Sequence, residues 1–292
     1  MITMTSVSPE RFRSTLLALC MAAFLAGCGG GGSDGEATVT TISASGMAYS
    51  RTMTVTVNGA GLVDPGLQMT VEGASCVDIT RSGGASDFQA QFTCTVTGVG
   101  DISPRIRNAD GRELGRVTTS VPMPQVSFAV RQGTRSGFIL LEIDPITAPL
   151  TAANFMRYVN TGFYRDTLFH RVVAGKIAQG GGYVTGPLLK SPTFAPIPLE
   201  ALTTPKNLRG TIAMARTSAP DSAQSQFFLN VVDNPEFDRV DDAQPGYAVF
   251  GSIVSGLDIL DELGGVEVRF FSPSLPSLPV ENVLLTSALQ VR

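Results

Sequence analysis

The 292-residue chain has no tryptophan and one histidine, and only 16% of its residues are charged. A lone His170 leaves one possible imidazole base, and a catalytic triad also needs a nucleophile and an orienting group. No G-x-S-x-G turn is present to supply the nucleophile. With one imidazole and no free cysteine pair, a metal would have to be held by oxygen ligands. The acids of 233-DNPEFDRVDD-242 lack the spacing of an EF-hand loop and read as a solvated acidic loop. There is no run of lysine and arginine, and the formal net charge is −4. Both argue against an electrostatic nucleic-acid binder. Gly175-Lys176 is not set in a phosphate-binding loop, and Gly180-x-Gly182 is followed by Thr185 where a dinucleotide fingerprint needs glycine. The glycines fit better as places where backbone turns tightly or packs closely. No internal repeat is evident.

What is present begins with a targeting segment. Arg11 and Arg13 precede Leu16–Ala26, which is almost wholly apolar and too short to span a bilayer. The segment reads as a secretory signal ending in Leu25-Ala26-Gly27-Cys28, similar to a bacterial lipobox. Residues 1–27 are therefore expected to be a lipoprotein signal peptide, with Cys28 lipidated as the first mature residue. Gly29, in place of aspartate, favours the outer over the inner membrane by resemblance to lipoprotein sorting. Residues 28–36 (CGGGGSDGE) form a flexible tether. The expected location is the bacterial cell envelope, facing the periplasm, with the lipid as the only membrane attachment. With Cys20 and Cys28 assigned, Cys76 and Cys94 remain, and in an oxidising compartment they are expected to form a disulfide.

An apolar content of 43% supports real cores. From residue 37 to 121 the chain is rich in Thr, Val, Ser and Gly. Met53, Val55 and Val57 alternate with threonines, and Phe88, Ala90, Phe92, Cys94 and Val96 alternate likewise. Period two with β-branched residues predicts half-buried strands, and Asn58-Gly59, Asp64-Pro65-Gly66, Gly83-Gly84 and Asp110-Gly111 predict turns. The segment is expected to be a small immunoglobulin-like β-sandwich, without the Cys…Trp…Cys pattern of antibody domains. It carries no catalytic constellation and reads as a spacer or recognition module.

Residues 122–125, within Val121-Pro122-Met123-Pro124 and its neighbour, form the expected linker. Residues 126–292 have a different texture. Val126, Phe128 and Val130, then Phe138–Ile143, predict two strands around a Gly133–Gly137 turn. Pro149–Asn160 predicts a helix stopped near Gly162, with Phe155, Tyr158 and Val159 buried. Ser255–Leu263 predicts a second helix ended by Gly264-Gly265. Two helices among many short strands suggest a β-barrel with helical caps, and a mainly β chain overall.

Four blocks then occur in order: Phe169-His170-Arg171-Val172-Val173 with Gln179-Gly180-Gly181-Gly182; Arg209–Arg216 (RGTIAMAR); Asp221–Asn230 (DSAQSQFFLN); and Gly246–Gly251 (GYAVFG) with Val254–Asp258. Together they resemble the cyclophilins, most of all the short-looped bacterial ones. The resemblance implies an eight-stranded antiparallel barrel capped by two helices. It also implies peptidyl-prolyl cis–trans isomerase activity on proline-containing unfolded or flexible polypeptides, with no cofactor. By motif position Arg171 matches the family's catalytic arginine and Gln179 the glutamine that steadies it. Ile177, Phe228 and Phe237 match walls of the proline pocket. Gln226 matches a polar residue beside the substrate backbone, Ala215 and Arg216 match the strand edge that pairs with it, and Tyr247 stands where members carry His or Tyr. His170 is implied to lie in the site wall. Two positions depart from the pattern: Lys176 stands where the family has an aromatic, and Glu236 where it has Trp or Phe. Alternation assigns Phe227 to the core and Phe228 to the pocket. A monomer is expected.

Overall fold

The computed structural model describes residues 36–201 and 205–292. The expected signal peptide, Cys28 and all but the last residue of the expected tether lie outside the described residues. Eight strands come first: β1 (Thr38–Ser45), β2 (Thr52–Ala60), β3 (Gln68–Gly73), β4 (Cys76–Arg81), β5 (Gln89–Val96), β6 (Gly100–Arg107), β7 (Glu113–Arg116) and β8 (Thr119–Val121). They form two antiparallel sheets, β1-β2-β5-β4 and β3-β6 with β7 and β8 both on the far side of β6. Because β7 and β8 pair successive stretches of β6, they are two halves of one interrupted strand. Lettered A to G along the chain, the sheets are ABED and CFG, the order of a constant-type immunoglobulin sandwich. Period two decides what goes inside. Met53, Val55, Val57, Phe92, Cys94 and Val96 from one sheet meet Met69, Ile102 and Ile106 from the other. The Cys76–Cys94 disulfide is formed, and it joins neighbouring strands of one sheet rather than bridging the two sheets as in antibodies. Phe88 does not continue the inward row: it precedes β5 in the turn and is 69% exposed.

The second half holds β9 (Gln125–Gln132), β10 (Arg135–Ile143), α1 (Pro149–Asn160), β11 (Thr167–Val173), β12 (Ile177–Val184), β13 (Leu188–Leu189), β14 (Thr211–Met214), β15 (Phe227–Asn230), β16 (Val249–Ser255), α2 (Leu257–Gly264), β17 (Val268–Arg269), β18 (Leu278–Pro279) and β19 (Val283–Gln290). Neighbours run β11-β19-β9-β10-β16-β14-β15-β12, and β12 pairs back onto β11, so eight antiparallel strands close a barrel. Closure removes the free edges an open sheet would leave. Phe128, Phe155, Phe227 and Phe250 fill the interior with ring centroids 4.9–6.2 Å apart. Each such buried phenylalanine contributes about 1.5–3 kcal/mol.

Helix α1 starts and stops for different reasons. Pro149 pre-sets the first turn. Ala148 offers no capping side chain. The capping oxygen comes from far along the chain: Glu200 accepts from Leu150 N (2.9 Å), Thr151 N (2.6 Å) and Thr151 Oγ1 (2.7 Å). A carboxylate there also complements the helix dipole. At the other end Gly162 N donates to Val159 O and Phe163 N to Tyr158 O, with Gly162 at φ 71° and the Phe163 and Tyr158 rings 4.7 Å apart. This is a Schellman stop with its apolar clasp. Helix α2 begins at Leu257 rather than Ser255, because Ser255 still belongs to β16 and Gly256 sits at φ 95°, outside helical space. The β9–β10 turn is likewise tighter than Gly133–Gly137: Arg135, Ser136 and Gly137 already pair with β9.

The two halves touch through the β1–β2 turn. Arg51 Nε donates to Gln290 Oε1 (3.0 Å), Gln290 Nε2 to Tyr49 O (2.9 Å) and Asn160 Nδ2 to Ser50 O (3.4 Å). Burial pushes the Tyr49 phenol up to about 12, with the Glu200 carboxylate adding to the shift.

Candidate active site

The site lies on the outer surface of the barrel where β11, β12, β15, β14 and β16 run side by side. Register brings its residues together: Arg171 faces Gln179, Gln179 faces Phe228, Phe228 faces Ala213 and Ala213 faces Val249. Alternation sends Phe227 inward to the barrel core and Phe228 outward, as expected. Outward-facing Ile177, Ala213, Phe228 and Val249 make a second, separate apolar cluster, edged by Val173, Ala215, Phe237 and Tyr247. Phe228, Phe237 and Tyr247 pack edge to face, each pair 5.4–5.6 Å apart. The result is a small apolar recess with rigid aromatic walls.

A polar line runs beside it. Arg171 Nη1 donates to Gln179 Oε1 (3.1 Å), and Gln179 Nε2 donates to Gln226 Oε1 (2.9 Å). All three side chains are half-buried. The row of glycines makes room for this line. A Cβ on Gly182 would stand 2.5 Å from the Gln226 side chain, and one on Gly181 would meet Ser225 O at 2.8 Å. Ala215 N bonds Gln226 O, continuing the β14–β15 ladder to the edge of a groove lined by Gln179, Gln226, Ala215, Arg216, Leu189 and Lys190. Arg216 does not point away from the recess as a free cation. Its guanidinium lies 4.7 Å from the Tyr247 ring centre and donates to Gly246 O, Thr217 O and Ser218 O.

His170, expected in the wall, stands behind it. It is 2% exposed, with its ring 4.6 Å from that of Tyr183. Burial pulls its pKa down to about 4; hydrogen bonding toward the Leu168 backbone and Gln226 opposes the shift without reversing it. A neutral, enclosed imidazole does not serve as a proton donor near neutral pH. Lys176, expected in the pocket wall, sits at the rim. Its ammonium donates to Glu236 Oε1 at 2.5 Å and lies 6.0 Å from the Phe237 ring centre. The two side chains are 49% and 46% exposed. The bond from Lys176 holds the Glu236 carboxyl below its ordinary range.

Three buried asparagines shape this rim without any motif to announce them. Asn234 Nδ2 donates to Lys176 O (3.1 Å) and Asn230 Oδ1 (2.8 Å), and Asn230 Nδ2 donates to Asn207 Oδ1 (3.2 Å). Asn207 in turn donates to Asp238 Oδ1 through both its backbone N and Nδ2. Asp238 also pairs with Lys206 at 3.5 Å. The acidic stretch 233–242 is therefore only partly a solvated loop: one of its acids is built into the support of the recess. Among the described residues no cluster of His, Cys, Asp and Glu is arranged to hold a metal.

The arrangement offers an apolar slot for a compact ring, an arginine beside it and an amide chain that can bond a peptide backbone. Residues 127–286 match the family model for cyclophilin type peptidyl-prolyl cis-trans isomerases. The chain is 44% identical over 149 residues to peptidyl-prolyl cis-trans isomerase A of Dickeya dadantii, spanning 50% of this chain and 77% of that protein. It is 42% identical over 156 residues to peptidyl-prolyl cis-trans isomerase B of Escherichia coli, spanning 53% and 94%. A solved Cryptosporidium parvum cyclophilin type peptidyl-prolyl cis-trans isomerase, in the presence of the dipeptide Ala-Pro, covers 57% of this chain and 99% of its own at 23% identity and a TM-score of 0.48. The family match covers more than half of the chain, and it falls on the barrel that carries the recess and the Arg171–Gln179–Gln226 line: the chain belongs to the cyclophilin-type peptidyl-prolyl cis-trans isomerases.

Proposed function

We propose that Arg171 drives isomerisation of X–Pro bonds while the recess of Ile177, Phe228, Phe237 and Tyr247 holds the proline ring. The observation that carries this reading is the Arg171–Gln179–Gln226 line along the mouth of that recess. Peptide rotation is slow because resonance stiffens the C–N bond, with a barrier of about 18–20 kcal/mol. A catalyst must therefore bind the twisted amide better than either planar form. On twisting, the prolyl nitrogen pyramidalises and regains a lone pair. Arg171 donates to that lone pair, and arginine stays charged at any working pH. Gln179 aims the guanidinium, and Gln226 with the Ala215–Arg216 edge bonds the substrate backbone. No nucleophile, metal or proton transfer is required. NMR exchange on a short proline peptide tests the reading. Wild type should exceed buffer clearly, and Arg171→Ala should lose about 10²–10³-fold in kcat/KM; equal rates for both would end it.

The clients are X–Pro segments of unfolded or flexible envelope polypeptides, whose folding the enzyme assists. The signal-like segment and Cys28 support a lipid anchor and a periplasm-facing location. Cys28→Ser should then shift the mature protein from the membrane fraction to the soluble one, and no shift would remove the anchor. The Lys176–Glu236 pair, standing where the family carries aromatics, favours a second reading, a cyclophilin-fold peptide-binding module with weak turnover. The same exchange assay separates the two, since the module would bind peptide without accelerating it.

A further inference from the structure

Three cations stand at the mouth of the recess. Arg171, Lys176 and Arg216 border it, and among the described residues Glu236 is the one carboxylate that touches any of the three. In the neighbouring 233–242 stretch Asp238 pairs with Lys206 and Asp242 with Arg239, while Asp233 and Asp241 accept from backbone N–H groups and touch none of the three cations. Arg216 spends its donors on neutral carbonyls, which leaves its charge in place. Arg171 is bonded to a neutral amide. Of the three cations, only Lys176 holds an exchangeable ionic partner, and that partner is as exposed as itself. Replacing one carboxylate by another on a half-exposed ammonium is close to neutral, because such surface pairs are worth little and both released groups return to water. The unneutralised field of Arg171 and Arg216 then favours an incoming anion over an incoming cation.

We propose that Lys176 and Glu236 form an exchangeable clasp at the mouth of the proline recess, and that it makes this enzyme favour X–Pro segments bearing a carboxylate side chain next to the proline. The proposal rests on the isomerase reading above. On binding, the substrate carboxylate takes the Lys176 ammonium and Glu236 turns to solvent. A substrate ammonium finds Glu236 already engaged and meets the charge of Arg171.

The experiment uses the whole chain and peptides that differ only beside the proline, carrying Glu, Gln or Lys on its N-terminal or C-terminal side. NMR exchange reads kcat/KM, and chemical-shift titration in the same samples reads affinity. At one of the two positions wild type should prefer Glu over Lys by about two- to fivefold, less at high salt. Lys176→Met should reduce the ratio by the same factor. Glu236→Gln, which leaves the ammonium unpaired, should widen it. A ratio near one in wild type, a preference for Lys, or a ratio unchanged in Lys176→Met would overturn the clasp. If no peptide is accelerated, the isomerase reading fails while the affinity ratio still decides the charge preference.

Discussion

Replacing Gln179 by alanine removes two hydrogen bonds, one from Arg171 and one to Gln226. The cost to catalysis follows from what the arginine loses. Its hydrogen bond to the glutamine is charge-assisted, worth about 1.5–3 kcal/mol when intact. If that bond serves to aim the guanidinium at the twisted amide, Gln179→Ala should lower kcat/KM by about 10- to 100-fold. Arg171→Ala alone should lose about 10²–10³-fold. Independent contributions would multiply to about 10³–10⁵ in the double variant. If Gln179 works through Arg171, the double variant should instead match Arg171→Ala, because a positioning residue has nothing left to position. NMR exchange without a coupling protease reads the three rates against wild type, with uncatalysed exchange on a time scale of about 10–100 s as the floor. Folding should be nearly unchanged, since Gln179 is only half-buried on the outer barrel face. Multiplying losses would refute the aiming role and give Gln179 its own contact with substrate.

Three further outcomes are expected. Glu200→Ala removes three hydrogen bonds from the first turn of α1 and should destabilise the chain by about 1–2 kcal/mol in urea unfolding; an unchanged midpoint would mean water caps the helix equally well. Cys76→Ser with Cys94→Ser opens a covalent loop with a separation of 18 residues and should cost about 3 kcal/mol, read as the difference from the oxidised wild type, with reductant closing the gap. His170 titrates at about 4 when folded, against 6.5 for an imidazole in water. The unfolded chain therefore takes up the proton first, and this contribution to stability is complete above pH 6.5 and lost as pH falls toward 4. Its full size is about 3 kcal/mol. His170→Gln should flatten the pH dependence of the unfolding midpoint across that window, and a slope equal to wild type would place its origin elsewhere.

How far the amino-acid pattern can be read varies with the range of the interaction. Helix α1 is legible to the residue because its signals are local: proline at the start, glycine just past the end, and apolar side chains on one face. Period two separates Phe227 from Phe228 correctly, since a strand inside a closed barrel must face two environments. The same rule fails at Phe88, where the strand has not yet begun. Four short blocks in order name Arg171, Gln179, Gln226 and Phe228, which the barrel brings together in register across neighbouring strands. The supports are not legible. Glu200 caps a helix 50 residues earlier, and Asn207, Asn230 and Asn234 meet only in three dimensions. His170 falls at a bulge, where the register shifts between Phe169 and Arg171, so simple alternation does not assign its face, and its burial shows only in three dimensions.

The docked β1–β2 turn sets a distance as well as an orientation. Strand β1 runs eight residues from its first residue to that turn, about 27 Å at ordinary strand rise. The turn rests on the barrel through Arg51, Tyr49 and Ser50, so the start of β1 lies at the far end of the sandwich. Residue 38 is thereby set about a strand length from the barrel. The sandwich thus extends the molecule away from the barrel by its own length, with the β1–β2 turn as its point of contact.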